Sequence, residues 1–189
     1  MSLPIFVVDA FTSQPFHGNP AAVVLDHGDA RWMQRVAAEM RHSETAFVRA
    51  RDGGGFDLRW FSPEVEVDLC GHATLATAHG LFETGRVTPD TTVRFHTRSG
   101  ELRADPAGAE GITLDFPVAE PVPAPAHPEL LDALGLRPGE ILRPDGAFFM
   151  CVVDDAQMVR ELVPALGTPR AAPDVRGVDV TAHGEAGYD

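Results

Sequence analysis

Three short segments carry residue types able to move protons or hold an anion. Asp9-Ala10-Phe11 runs on to Gly18-Asn19-Pro20. Ser43-Glu44-Thr45 follows, and then Cys70-Gly71-His72-Ala73-Thr74. Each lies where a strand pattern meets a turn or a helix pattern. Glu44 stands beside Ala46 and Phe47. A carboxylate with one side against apolar neighbours and the other toward a cleft is suited to proton transfer, because desolvation raises its pKa. The plainer alternative is a solvated strand-end or capping residue.

Cys70-Gly71-His72 opens a helix pattern. Amides at a helix start have no helical partners, and the helix dipole favours anions there. A substrate carboxylate could dock at the Gly71–Ala73 amides, with His72 as donor or proton carrier. The same dipole would favour a Cys70 thiolate. The alternative is a buried cysteine beside a capping histidine. The other histidines show no metal-ligand spacing, so no metal site is expected. Cys151, inside Phe148–Val153, reads as core, and Asp154-Asp155 as a helix cap.

The elements that must position these residues follow from periodicity. Pro4–Phe11 and Ala21–Leu25 are strand-like runs separated by a turn-rich stretch. Asp29 is placed to cap a helix through Met40, with Trp32, Met33, Val36, Ala37 and Met40 on one face. Ala46–Ala50 and Phe56–Phe61 are strands joined across Gly53-Gly54-Gly55. From Gly71 to Thr84 the pattern is helical, small and apolar nearly all round, and Gly85 stops it. Such a helix is buried on all sides, so a sheet should wrap it. Thr91–Thr97, Glu101–Ala104 and Ile112–Phe116 continue the strands. Residues 117–128, rich in proline, read as a linker. Beyond it come a helix at Glu129–Leu134, a strand at Ala147–Val153, a helix at Ala156–Val163 and a strand at Val175–Thr181.

Composition narrows the function classes. In 189 residues, 44% are hydrophobic and 23% charged, which are globular proportions. Fifteen basic residues against 28 acidic ones give a net charge of −13, which repels phosphate backbones and anionic lipid. Nucleic acid and membrane surfaces are therefore not expected partners. Every basic residue is arginine, which excludes a Schiff-base lysine and a P-loop. Two cysteines alone make neither a disulfide framework nor a structural zinc site. With no leader or spanning pattern in the residues given, a cytoplasmic setting is the expectation.

The segments Val8–Asp26, Met33–Val48 and Leu58–Gly85 resemble the phenazine-biosynthesis PhzF-like family of isomerases in order, spacing and residue type. That resemblance implies an α+β fold like that of diaminopimelate epimerase. Each domain wraps a sheet around a central helix, and the site lies between the two domains. It implies a first domain over residues 1–116 and an incomplete second one over 117–189, whose strand would leave Phe148, Met150 and Val152 exposed. It makes Glu44 the acid/base that carries a proton between carbons of a small carboxylate-bearing substrate, without cofactor or metal. The best-known member acts so on trans-2,3-dihydro-3-hydroxyanthranilate. Ser43, Gly71, His72, Ala73 and Asn19 would line the substrate pocket. Cys70 takes the place of the catalytic cysteine of the epimerase relatives, and Asp9 is a secondary candidate. A homodimer is the protein partner left open.

Two rival readings stand beside this one. A thiol-based racemase or epimerase needs two facing cysteines, and Cys151 lies in an apolar strand. A non-catalytic relative would act as a binding module, with apolar surface exposed where further elements belong.

Overall fold

Strands whose two faces are both apolar need cover on both sides, and this decides the architecture of the first half. The protein is described here from a computed structural model over residues 3–26, 28–108, 111–118, 120–125, 128–137, 140–143, 148–165, 175, 177–184 and 187–188. The chain divides into two compact units, Met1–Phe116 and Pro117–Asp189. In the first, the elements are β1 (Ile5–Ala10), β2 (Asn19–Val24), α1 (Ala30–Met40), β3 (Thr45–Ala50), β4 (Phe56–Phe61), β5 (Glu66–Val67), α2 (Gly71–Glu83), β6 (Val93–Thr97), β7 (Gly100–Pro106) and β8 (Ile112–Asp115). The sheet order is β1-β2-β3-β4-β6-β7-β8, with β5 on β4. β2–β3 and β4–β6 are parallel, and the other pairs antiparallel. Parallel neighbours need a crossover. α1 supplies the first and α2 the second.

The two helices take opposite faces. Ala21, Val23, Ala46, Val48, Leu58 and Trp60 join Phe95, Leu102 and the α2 side chains Ala73, Ala76, Ala78 and Leu81 in one core. The alternate residues Val24, Phe47 and Phe61 pack with Met33 and Ala37 of α1 in a second. Alternation of this kind is the two-residue period of the strand. Asp29 caps α1 as expected, its Oδ1 accepting from the Trp32 amide at 2.8 Å.

α2 is the wrapped helix. It packs against β1, β2, β3 and β8. Its threonines are buried but satisfied, because the Thr74 and Thr77 hydroxyls donate to the Cys70 and Ala73 carbonyls at 2.6 Å. Small side chains let the strands approach its backbone closely.

The second unit has β9 (Val122–Pro123), α3 (Pro128–Leu134), β10 (Glu140–Arg143), β11 (Phe148–Val153), α4 (Ala156–Arg160), β12 (Gly177–Gly184) and β13 (Gly187–Tyr188). They form a five-stranded sheet ordered β13-β12-β11-β10-β9. Part of the proline-rich stretch expected as linker is thus an edge strand. Pro123 pairs with Leu142 there, and an edge tolerates proline. Along β11, Phe149, Cys151 and Val153 are buried, whereas Phe148 is exposed and Met150 and Val152 are half-buried. Val153 packs with Leu136 and Ala182, backed by Leu134, Val159 and Leu162. Ala147, placed in that strand from sequence, lies outside the described residues, as does Arg176 of the last expected strand. Both cysteines are free thiols. Among the described residues no helix is long and apolar enough to cross a membrane.

Leu81, near the end of α2, is 1% exposed. Leu81→Ala should cost about 2–5 kcal/mol, a large part of a typical stability of about 5–15 kcal/mol. Urea unfolding of the two proteins measures this. A loss below about 1 kcal/mol would show that the strands collapse onto a smaller helix.

Candidate active site

The start of α2 meets the start of β3, and this junction gathers the chemistry-bearing residues. Glu44 directly precedes β3, whose first residue, Thr45, is fully buried. Cys70 is the N-cap of α2, in extended conformation, and its side chain makes no capping hydrogen bond. His72 is therefore in the first helical turn, facing back over the helix start.

His72 is the hub. Its Nε2 lies 3.5 Å from Glu44 Oε2 and 3.3 Å from Ser43 Oγ. Its Nδ1 lies 3.4 Å from Cys70 Sγ. Burial pushes the His72 pKa down, with the Glu44 charge opposing it. The imidazole is neutral at pH 7. Burial pushes the Cys70 thiol up to about 12, with Glu44 adding to the rise and the Ala73 amide beside the sulfur pulling against it. Removal from water thus outweighs the helix dipole that would favour a thiolate. In the tautomer that carries its proton on Nε2, the Cys70 S–H donates to Nδ1 and Nε2–H donates to Ser43 Oγ, with the Glu44 carboxylate 3.5 Å from that nitrogen.

Around this cluster the other candidates divide. Gly71 is half-buried at the helix start. Ala73 is fully buried, so a ligand arriving from solvent meets the Gly71 and His72 amides and not that of Ala73. Asn19 opens β2 opposite Ala10. The parallel pairing of β2 with β3 begins at Ala22↔Thr45, three residues beyond Asn19. Gly18 is what permits this entry. Its φ is +79°, and a Cβ there would collide with the Ala10 carbonyl oxygen.

Asp9 is elsewhere. It lines a cleft of 830 Å³ on the flank of α2, together with His79 and Glu83. His79 and Glu83, four residues apart on α2, are not among the site candidates read from the sequence.

Glu44, Cys70 and His72 each offer one metal-ligating atom, and these atoms all lie within 4.8 Å of one another. Sequence spacing does not reveal this grouping, because Glu44 is remote in sequence from Cys70 and His72.

The comparisons with known proteins concern almost the whole chain. Residues 8–182 match the family model described as phenazine biosynthesis-like protein. An uncharacterized isomerase from Halalkalibacterium halodurans is 45% identical over 185 residues, covering 96% of this chain and 68% of the relative. A crystal structure of a PhzF-family phenazine biosynthesis protein from Enterococcus faecalis superposes with a TM-score of 0.83 at 40% identity, covering 98% of this chain and 70% of that one. A predicted epimerase from Pseudomonas aeruginosa, 23% identical with a TM-score of 0.71, shares the fold, covering 96% of this chain and 70% of that one. The α+β architecture of a sheet wrapped around a central helix is that of PhzF and epimerase-like proteins. The chain belongs to the phenazine biosynthesis-like family, among whose members are relatives named isomerases.

Proposed function

We propose that this protein is an isomerase that moves a proton between two carbons of a small carboxylate-bearing substrate, with Glu44 as the proton carrier. The observation that carries the reading is the placement of the Glu44 carboxylate 3.5 Å from His72 Nε2 at the start of the central helix. The isomerase class is also the name borne by the similar relative from Halalkalibacterium halodurans.

In this reading the Glu44 carboxylate takes a proton from one carbon and becomes a neutral acid. The electron pair left behind shifts along the substrate's π system, and Glu44 returns the proton to the carbon where charge has accumulated. Nothing is oxidised or reduced, so the reaction needs no electron carrier. His72 Nε2 stands 3.5 Å from the Glu44 carboxylate and is hydrogen-bonded to Ser43 Oγ, which fixes the ring beside it. The Gly71 and His72 amides, with the positive end of the α2 dipole, receive the substrate carboxylate. Asn19, at the start of β2, is the further pocket residue of this reading. A neutral Cys70 donates into this network and does not act as the base.

Glu44→Gln keeps the shape and removes the base. Deuterium wash-in from heavy water, followed by NMR on trans-2,3-dihydro-3-hydroxyanthranilate and a panel of unsaturated carboxylates, reads the reaction. For a substrate found with the parent protein, turnover should fall at least about 10²-fold. Near-parental turnover would remove Glu44 from the role.

Cys70 separates this reading from a thiol-based one. Cys70→Ser should keep most of the turnover. Because the native thiol is held up to about 12, its alkylation by iodoacetamide should keep accelerating about tenfold per pH unit between about pH 8 and 11. An ordinary thiol levels off near its pKa of about 8.5. Peptide mapping distinguishes Cys70 from Cys151. A plateau below about pH 9 at Cys70, with loss of turnover in the serine variant, would favour thiol catalysis.

A further inference from the structure

A thiol, an imidazole and a carboxylate are also the donor types that hold zinc where three protein groups leave a fourth position open. Zinc–sulfur bonds of about 2.3 Å and zinc–nitrogen or zinc–oxygen bonds of about 2.0–2.2 Å, at tetrahedral angles, put neighbouring donors about 3.4–3.6 Å apart. Cys70 Sγ and His72 Nδ1 are 3.4 Å apart, at that spacing. Glu44 Oε2 now lies 3.5 Å from the other ring nitrogen and completes the set by turning toward the Nδ1 side. All three donor atoms fall within 4.8 Å, and among the described residues they are the group with this property. The donors are also rigidly carried. Cys70 and His72 flank the first turn of a buried helix, and Glu44 adjoins a strand buried on both faces. Ser43 Oγ, 3.3 Å from Nε2, is an outer hydrogen-bond partner of the kind that orients a ligating imidazole.

We infer that Cys70, His72 and Glu44 form an inhibitory site for a thiophilic divalent cation of the zinc type. Binding forms a metal–sulfur bond at Cys70 and releases the thiol proton to solvent. His72 contributes the Nδ1 lone pair, and the Glu44 carboxylate is the third donor. No electron changes hands. The thiolate and the carboxylate together neutralise the two positive charges. Magnesium, which requires oxygen donors, finds one such group here and is not held. The inhibitory consequence rests on the reading of Glu44 as proton carrier, since a carboxylate engaged by a cation cannot collect a proton from carbon. Metal binding itself is independent of that reading.

The experiment uses the full chain without a histidine tag, freed of metal by a chelator. Cobalt(II) is the visible probe, and zinc is titrated calorimetrically. One cobalt per chain should bind and produce the intense near-ultraviolet absorption of a thiolate–cobalt bond. Zinc should abolish that absorption by displacement, and excess magnesium should leave it unchanged. Cys70→Ser should remove the band, while His72→Asn and Glu44→Gln should each weaken zinc binding at least about tenfold. Circular dichroism establishes that each variant is folded. Absence of the band in the parent protein, or zinc affinity unaltered by any of the three substitutions, would overturn the site. Because these readouts do not involve turnover, their failure leaves the isomerase reading standing. Undiminished turnover of Glu44→Gln would instead remove only the inhibitory consequence.

Discussion

A helix of 13 residues with no continuous polar face cannot lie on a surface without exposing most of its apolar area, and α2 is such a helix. Its burial is the constraint on which the first unit depends. To surround it, the sheet must extend past both sides, and β1, β2, β3 and β8 all reach it. Threading it between β4 and β6 makes that pair parallel. The strands that cover α2 on one face, β2, β3 and β4, then need cover on the other, and α1 provides it. The helix interior is consumed by packing. Its first turn is the part left for chemistry, because three amides there have no helical partners. Site and core are therefore two consequences of one element.

Much of this is legible in the residues. The apolar circumference of Gly71–Thr84 announces a wrapped helix, and the double-sided runs AAVV and TAFV announce strands buried on both faces. Asp29 announces the start of α1. What periodicity cannot show is pairing across distance. The two-residue β5 exists because it pairs with β4, where the Arg59 guanidinium grips Glu66 with two bonds of 2.7 and 2.8 Å. A pair of that kind leaves no local signature in the sequence. The same holds for β9, whose proline content speaks for a linker until β10 is laid beside it.

The candidate site shows a similar limit. Glu44, Cys70 and His72 are each recognisable as chemistry-bearing from residue type and position at an element boundary. Their grouping is not. It follows from β3 and the start of α2 meeting at one end of the sheet. Asp9 is the converse example. It sits in a segment that matches the same family, yet the strand register turns it toward the α2 flank with His79 and Glu83. Ala73 belongs to the right turn of the right helix, and close packing removes it from any ligand's reach.

The protonation of Cys70 shows how magnitudes decide a role. A helix N-terminus stabilises a nearby negative charge by about 0.3–1 kcal/mol, and up to about 2 kcal/mol when partly buried. The thiol, however, is raised from 9.0 to about 12. Three pKa units correspond to about 4 kcal/mol against the thiolate. Burial at 7% exposure and the neighbouring carboxylate together exceed what the dipole supplies. Two anions in one small pocket would repel each other, and only one of Cys70 and Glu44 can carry charge cheaply. His72, whose pKa burial pushes down, stands between them, and an imidazole with one proton can donate on one side and accept on the other. A sulfur that keeps its proton frees the carboxylate to hold the charge. The same first turn that would serve a thiolate in a more hydrated pocket therefore serves a carboxylate in this one.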